Sequence, residues 1–421
     1  MALTWFVFII QALLSNLFFV YFDIEGLPIF IVFITTLFLL FDLSRYDFPK
    51  EVFIMLFLTY LLRLFLLFFD LYGRAYFVLP NSGLDSEMFQ QAAITGMSTG
   101  NYGNGHIYSF VIGFLYSLFG NERIIPQFFN VLLSIHAVIL IYNTMGLYKI
   151  NKKAKYFSIA VMAVLPNFAI MSSILLRESI IIFLYVLSFY CFSKWFLENN
   201  IILLVLAYAG GLLVSVFHSG SIILVVAYTI ILILFDRKRG QFSISYQSVL
   251  IALLFAFVFM YIFQNYYDLF FSKFSNIDDV DDVIDIYVMG ESGYSTGYAI
   301  KNPVLNFIVN TPLRMFYFVF SPLPWDWRGV TDIIAFTFSG LFYGSTFYLA
   351  FKRLFERDVK NKNFIIIILL IVTIGILVFS WGVSNAGTAL RHRDKFIGLF
   401  IILLALTMNE ERPAQAEALK D

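Results

Sequence analysis

The sequence has little cysteine and little charge. Its single cysteine, Cys191, lies inside an apolar run, which excludes an internal disulfide and a cysteine metal site. Charged residues make up 13% of the chain, and 28 basic side chains balance 28 acidic ones. A nucleic-acid-binding protein needs a concentrated basic surface, so zero net charge argues against that class. Long polar stretches are also scarce, and we expect no soluble domain.

Apolar residues are what the chain has in excess. They make up 60% of the sequence, aromatic residues make up 19%, and the mean hydropathy is +0.83. A soluble protein of 421 residues cannot bury this much apolar surface, so lipid must be the solvent for much of it. The N-terminal segment lacks a basic region and a small-residue cleavage site, which favours a retained first span over a cleaved signal peptide. We therefore expect an all-α polytopic membrane protein.

The apolar runs predict about 12 transmembrane helices in a single transmembrane domain, 1–421. They are 4–22, 27–43, 51–70, 125–147, 155–173, 179–197, 201–217, 220–235, 247–264, 331–351, 363–383 and 396–408. Lysine and arginine favour cytoplasmic loops. The basic loops all lie inside only if two further apolar segments, 107–119 and 303–321, are helices at the outer surface. This arrangement predicts a plasma (inner) membrane protein with both termini cytoplasmic and two large outer loops, 71–124 and 265–330.

The first outer loop carries an acidic pair, Asp85 and Glu87, just ahead of the helical stretch EMFQQAA. Two acids in this position can both point into a cleft. There a carboxylate can accept a proton from an attacking hydroxyl, or help to hold a divalent cation such as Mg²⁺ or Mn²⁺. The alternative is a helix N-terminus, with Asp85 or Ser86 as the N-cap and Glu87 favoured in the first turn by the helix dipole.

This acidic pair is followed by an amphipathic stretch, IYSFVIGFLYSLFGNERIIPQ, a basic loop and a proline-containing segment, VLPNFAIMSSILLRES. Over residues 50–200 the pattern resembles the GT-C superfamily. These integral-membrane glycosyltransferases use polyprenyl-phosphate sugars, and they include protein mannosyltransferases and aminoarabinose transferases. The resemblance implies a GT-C-like fold with Asp85 as catalytic base or metal-associated residue and Glu87 as its partner.

Two basic clusters are candidates for binding the phosphate of the donor. Arg391, His392 and Arg393 lie on the predicted outer side, where the charge rule disfavours them. Arg177 lies at an outer membrane boundary, next to Glu178. The arginine fork suits phosphate. The alternatives are contact with lipid headgroups for the first cluster and snorkelling at a helix start for Arg177.

Candidates for binding the sugar or the acceptor are Glu178, His106, His218, Trp325 and Trp327. The two tryptophans lie in NTPLRMFYFVFSPLPWDWRGV, where an aromatic face can support a sugar ring. Tryptophan is equally common as a residue of the membrane interface. That alternative stays open.

The predicted function is transfer of a sugar, with inversion, from a polyprenyl-phosphate donor to a lipid-linked or cell-envelope glycan acceptor at the outer face. One alternative is a polysaccharide polymerase of the O-antigen or capsule type. In such an enzyme Arg391 and Arg393, and not Asp85, would be the main catalytic candidates. Another is a transporter or flippase of lipid-linked saccharides. A transporter would show inverted repeats and broken spans with polar residues near the midplane. Here the polar residues cluster at one predicted surface, which favours an enzyme.

Overall fold

The computed structural model describes most of the chain. The described residues are 2–21, 26–103, 106–236, 241–243, 246, 248–250, 253–254, 257, 293–294, 298, 300, 302–356 and 359–409. Most of the predicted span 247–264 and most of residues 265–301 of the predicted loop 265–330 lie outside these residues. The described part is almost entirely helical and forms two compact units, so the all-α polytopic prediction is confirmed.

The first unit comprises residues 1–143 and 155–186. Its helices are α1 (Ala2–Tyr21), α2 (Leu27–Arg45), α3 (Lys50–Tyr72), α4 (Leu84–Thr99), α5 (His106–Phe119), most of α6 (Ile124–Leu147), most of α7 (Lys152–Val164), α8 (Pro166–Met171) and the start of α9 (Glu178–Glu198). Pro166 separates α7 from α8, because proline lacks the amide hydrogen that would continue the helix and disfavours helical backbone in the residue before it. The predicted span 155–173 is therefore two helices.

The second unit comprises residues 144–154 and 187–421. It contains the rest of α6, α7 and α9, and then α10 (Ile201–Phe217), α11 (Ile223–Leu234), α12 (Pro303–Phe320), α13 (Val330–Ala335), α14 (Leu341–Leu354), α15 (Lys362–Trp381), α16 (Ala386–Arg393) and α17 (Ile397–Thr407). A turn of π-helix, Phe336–Gly340, joins α13 to α14. Two short antiparallel strands, β1 (Phe235–Asp236) and β2 (Gln241–Phe242), follow α11.

Six helical segments within the described residues are long and apolar enough to cross a membrane: Leu27–Arg45, Lys50–Tyr72, Ile124–Leu147, Glu178–Glu198, Val330–Leu354 and Lys362–Trp381. Each coincides with a predicted span. Four shorter apolar helices accompany them, and the count of 12 is not established. The two segments expected at the outer surface, 107–119 and 303–321, are indeed helical, as α5 and α12.

Helix α3 shows how the sequence positions polar groups for a site. Its buried residues recur every three or four positions and form one stripe: Val52, Leu56, Thr59, Tyr60, Arg63, Leu67 and Asp70. The other faces carry exposed apolar side chains such as Leu58 and Phe65, which suits contact with lipid. The stripe ends at Asp70, so the helix delivers a buried carboxylate to its C-terminal end.

Candidate active site

A polar cluster forms where the end of α3 meets the starts of α4 and α6 in the first unit. The Asp70 carboxylate is buried and accepts hydrogen bonds from Ser82 Oγ and from Gln127 Nε2 at 2.6 Å. Glu87 Oε1 accepts hydrogen bonds from Arg74 Nη1 at 2.7 Å and from Arg123 Nη1 at 2.6 Å. Both arginines also approach Asp70, at 3.4 Å and 3.8 Å. Two acids and two arginines thus form one network that ties the three helices together.

The charges in this network fix the protonation state of Glu87. Burial alone would raise the pKa of the Glu87 carboxyl, but the hydrogen bonds from Arg74 and Arg123 outweigh burial, and the pKa lies below its usual range. Burial likewise opposes the charge on Arg74, but Glu87 and Asp70 hold its pKa above the ordinary value. Glu87 is consequently an anion at neutral pH and a weak base.

Asp85 lies in the first turn of α4 and is half-buried. The N-cap of this helix is Gly83, which makes no side-chain cap hydrogen bond. The suggestion that Asp85 or Ser86 caps the helix is therefore wrong, and the helix dipole remains the structural reason for an acid at this position. Glu87 lies in the same turn, so both predicted acids are at the N-terminal end of α4.

Arg177 approaches the same helix. Its guanidinium carbon lies 5.8 Å from the centroid of the Phe89 ring, and Phe89 follows Asp85 by four residues on one face of α4. The Phe89 ring in turn packs edge-on against Tyr108 of α5, with 5.1 Å between ring centroids. Arg177 is thereby placed on the face of α4 that carries Asp85.

The segment before Arg177 is held by Asn130 of α6. Its side-chain amide donates to the carbonyl oxygens of Ile174 at 2.9 Å and Leu176 at 2.8 Å, and to Tyr108 Oη at 3.0 Å. Glu178 is 2% exposed at the N-terminus of α9. Burial raises the pKa of Tyr108, and the Glu178 charge raises it further. The structure thus brings four predicted residues, Asp85, Glu87, Arg177 and Glu178, to one end of the first unit.

The second unit holds a separate group of predicted residues around Phe379. The His218 and His392 rings lie 4.8 Å apart and approach the Phe379 ring at 5.4 Å and 5.0 Å. Lys395 Nζ lies 3.2 Å from His392 Nδ1 and 5.2 Å from the Phe379 centroid. Arg391 is half-buried on α16, next to His392 in sequence. Three basic side chains, those of His218, His392 and Lys395, are therefore gathered around one aromatic ring.

Arg393 is more deeply placed than Arg391. It is 1% exposed, and its Nη1 donates to the carbonyl oxygens of Phe318 at 3.1 Å and Val319 at 2.8 Å, while Nε donates to Ser339 Oγ at 2.9 Å. These contacts join α16 to the end of α12 and to the π-helical turn. Most of the Arg393 guanidinium is thus occupied within the protein, which leaves Nη2 as the nitrogen that a ligand can use.

The predicted tryptophans are both at the exposed end of α12. Trp325 is 68% exposed, and its Nε1 lies 3.3 Å from Tyr317 Oη. Trp327 Nε1 donates to the Pro322 carbonyl at 3.2 Å. Their rings are accessible, as a sugar platform requires. His106 begins α5, but its side chain lies outside the described residues.

The acidic pair fits a divalent cation poorly. Glu87 Oε1 already accepts from two guanidinium groups, whose positive charge opposes a metal ion at the same oxygen. In the part of the chain that the structure describes, no group of three or more His, Cys, Asp or Glu residues is placed to hold a metal. Arg74 and Arg123 therefore take the place beside Glu87 that Mg²⁺ or Mn²⁺ would need.

Asp70, Arg74, Arg123 and Gln127 belong to the cluster, although no sequence motif marks them. Asp70 closes an apolar run, so the sequence alone makes it the last residue of a span. A carboxylate at the end of a membrane span is unfavourable unless a polar or charged side chain pairs with it. This expectation of a partner is the signal in the sequence that could have identified Asp70. No local pattern shows that its partners come 12 and 57 residues later, in Ser82 and Gln127.

The comparison with known families supports the resemblance seen in the sequence. The family of dolichyl-phosphate-mannose-protein mannosyltransferases, a member of the GT-C superfamily, matches residues 103–272. The match covers less than half of the chain; it includes Arg123, Arg177, Glu178 and His218 but not Asp85. It confirms the GT-C resemblance, and the proteins of the matched family are glycosyltransferases that use a polyprenyl-phosphate sugar. No curated protein and no solved structure matches significantly.

Proposed function

We propose that this protein transfers a sugar from a polyprenyl-phosphate donor to a lipid-linked or cell-envelope glycan acceptor at the outer face of the plasma membrane. The observation that carries the proposal is the contact of Arg177 with Phe89, which lies one turn after Asp85 on α4. Such a transfer requires a carboxylate that can accept the proton of the acceptor hydroxyl and a cation that can bind the donor phosphate. The family match over residues 103–272 supports the donor class.

Asp85 is the proposed general base, because Glu87 is held as a weak base by two arginines. The Asp85 carboxylate takes the proton of an acceptor hydroxyl as that oxygen attacks the anomeric carbon of the donor. The bond between the anomeric carbon and the phosphate oxygen breaks, and its electron pair leaves with the polyprenyl phosphate. Attack from the side opposite the phosphate inverts the anomeric configuration.

Arg177 is proposed to stabilise the negative charge that develops on the departing phosphate. A guanidinium presents several donors in one plane, which matches phosphate oxygens. Glu178 is next to it in the chain and is buried at the helix N-terminus. We assign Glu178, with His106, to acceptor binding. His218, which lies in the second unit, is a separate candidate for the same role.

The orientation is part of the proposal. Basic groups such as Lys152, Lys153 and Lys155 at the start of α7 favour a cytoplasmic location for that end of the helix. Asp85 and Arg177 then lie at the outer side, and both termini lie inside. The polyprenyl chain of the donor is an apolar partner that lies in the lipid around the helices.

A polysaccharide polymerase is the second candidate, and a specific observation favours it. The basic group around Phe379, with His218, His392 and Lys395, is a second place where an anionic lipid-linked saccharide can bind. A polymerase joins two such saccharides. It shares the glycosyl-transfer chemistry and differs in its acceptor.

The test is a transfer assay with purified protein and a panel of polyprenyl-phosphate sugars. Asp85→Asn should lower turnover by about 10²–10⁴-fold, the usual contribution of a general base. Glu122→Gln is the matched control, because Glu122 is an exposed acid of the same loop region and should keep full activity. Activity within about threefold of wild type in Asp85→Asn would exclude Asp85 as the base. The same assay with a chelator tests whether transfer depends on a divalent cation, and we expect little loss of activity.

A further inference from the structure

In the described part of the second unit, polar groups without partners collect around Tyr294. This tyrosine is 7% exposed, and its backbone N–H donates to the Ser384 carbonyl at 2.9 Å. Its ring packs against Tyr317 of α12, with 5.1 Å between centroids. Burial raises the pKa of the Tyr294 phenol to about 12, and interactions with Ser321, Arg393 and Arg314 oppose this rise. The phenol is therefore a neutral hydroxyl beside two arginines.

Arg314 of α12 is the most exceptional of these groups. It is 2% exposed, and its guanidinium carbon lies 4.5 Å from the centroid of the Trp381 ring. Trp381 is itself fixed by a hydrogen bond from Nε1 to Thr311 Oγ1 at 3.0 Å. Among the described residues, Arg314 Nε and Nη1 have no hydrogen-bond partner and no carboxylate forms an ion pair with it. A buried cation in this state is costly unless something pairs with it.

Three more buried donors lie nearby. Tyr294 Oη and Ser321 Oγ interact with each other and make no other hydrogen bond within the described part of the chain, and Arg393 Nη2 makes none there. Asp326 Oδ2 is a buried acceptor that also makes none. Arg393 cannot turn away, since its Nε and Nη1 are bound to Ser339 and to the end of α12. All three atoms can donate a hydrogen bond. Native proteins rarely leave buried donors unsatisfied, so several in one place point to a bound group.

Two arginines and two acids belong to this region. Arg314, Arg393 and Asp326 act on Tyr294. Asp394 acts on Arg393 and already accepts a hydrogen bond from Tyr343 Oη at 2.7 Å. A guanidinium stacked on an aromatic face keeps its in-plane N–H groups available for an oxyanion. An aromatic surface continues outward from Tyr294 through Tyr317 to the exposed ring of Trp325. An anion bound here can therefore carry a sugar toward Trp325.

We propose that Arg314, Arg393 Nη2 and the hydroxyls of Tyr294 and Ser321 form a binding site for the oxyanion of a phosphate ester. The site stands on these buried donors alone. That its occupant is the phosphate of a lipid-linked sugar rests on the proposed function. The site lies in the second unit, and the sequence alone does not assign Arg314, Tyr294 or Ser321 to phosphate binding.

Binding is measured on the purified full-length protein in detergent, with inorganic phosphate, a short-chain polyprenyl phosphate, and chloride at equal ionic strength as the baseline. Wild type should be stabilised against thermal unfolding, saturably, by at least one of the two phosphates. Stabilisation by the polyprenyl phosphate alone assigns the site to a lipid-linked group, and stabilisation by both assigns it to phosphate in general. No saturable stabilisation by either would overturn the proposal.

Arg314→Met keeps the apolar stem and removes the charge. It should weaken phosphate binding by about tenfold or more, since a hydrogen bond to a charged group is lost. The unliganded variant should unfold no lower than wild type, because the unpaired buried charge is gone. Arg328→Met is the matched control: Arg328 is an exposed arginine that is paired with Asp332, and its loss should leave phosphate binding unchanged.

Tyr294→Phe is the second variant, for the case in which Arg314→Met does not fold. It removes one hydroxyl from the buried ring and should weaken binding several-fold with little change in fold. Wild-type affinity in either folded variant would overturn the site. Phosphate binding that disappears in Arg314→Met while sugar transfer persists would keep the anion site and separate it from the proposed reaction. Transfer that is lost in Asp85→Asn with phosphate binding unchanged would leave both proposals standing.

Discussion

The guanidinium of Arg177 lies over the ring of Phe89, with 5.8 Å from the guanidinium carbon to the ring centroid. Phe89 is one turn after Asp85 on α4, so one aromatic ring fixes the direction in which the arginine approaches the acidic turn. An arginine at the edge of an apolar run could have extended to the surface instead. Its position on Phe89 makes it a candidate for contact with substrate.

Arg177→Ala is therefore expected to lower turnover by about tenfold or more, because a charge-assisted contact with the phosphate is lost. Arg177→Lys should recover part of the activity, since lysine keeps the charge but not the planar fork. The measurement is steady-state transfer with purified variants. Arg328→Ala, which removes an exposed arginine of the second unit, is the control. Equal activity in Arg177→Ala and wild type would return Arg177 to a structural role.

The Glu87 network predicts a dependence of stability on pH. Because the folded state lowers the pKa of Glu87, its contribution is present above the unfolded pKa, near 4.5, and is lost as pH falls through the lower folded value. Glu87→Gln should thus lower the thermal unfolding temperature at neutral pH, and the difference from wild type should shrink in acid. The effect should be modest, since the Glu87 side chain is 44% exposed.

Thermal unfolding of wild type and Glu87→Gln at several pH values measures this difference. Glu122→Gln serves as the control for loss of an exposed acid from the same loop region. If the difference in unfolding temperature between Glu87→Gln and wild type stays constant from neutral pH into acid, the ion pairs of Glu87 with Arg74 and Arg123 are not the cause of that difference.

The helices could be predicted from the sequence, but the pairings could not. Apolar runs such as those of α2, α3 and α6 are long enough to span lipid, and length alone identifies them. The bonds from Arg123 to Glu87 and from Gln127 to Asp70 join residues 36 and 57 positions apart. Which arginine meets which acid depends on how the helices pack, and local spacing carries no information about it.

The buried donors around Tyr294 also could not be predicted as a group from the sequence. Arg314 and Trp325 are conspicuous in the sequence, because Arg314 is a charge within an aromatic, proline-rich segment and Trp325 is one of its two tryptophans. Tyr294 gives no such signal, since it precedes that segment by a stretch without recognisable pattern. Its role depends on the backbone contact with Ser384, which only the folded chain provides.

Gly340 is expected to be a sensitive position for stability. It ends the π-helical turn that carries Ser339 toward Arg393, and a Cβ atom there would lie 2.8 Å from the Phe320 carbonyl oxygen. Backbone cannot yield as a flexible side chain does, so Gly340→Ala should cost about 1–3 kcal/mol. Gly146→Ala is the control, since nothing lies within 4 Å of its Cβ position and helical alanine is favourable. Thermal unfolding in detergent measures both, and equal stability of the two variants would contradict the close approach.

The orientation of the chain can be tested by cysteine labelling, because its single cysteine, Cys191, is buried and can be replaced by serine. Asn101 follows α4, and Lys152 begins α7; both side chains are exposed. The excess of lysine at 152–155 should hold that loop in the cytoplasm, while Asn101 lies on the side of Asp85. A membrane-impermeant thiol reagent added to intact cells should therefore label Asn101→Cys and leave Lys152→Cys unlabelled until the cells are opened. The opposite pattern would place Asp85 and Arg177 in the cytoplasm, and the donor would then have to be used at the inner face.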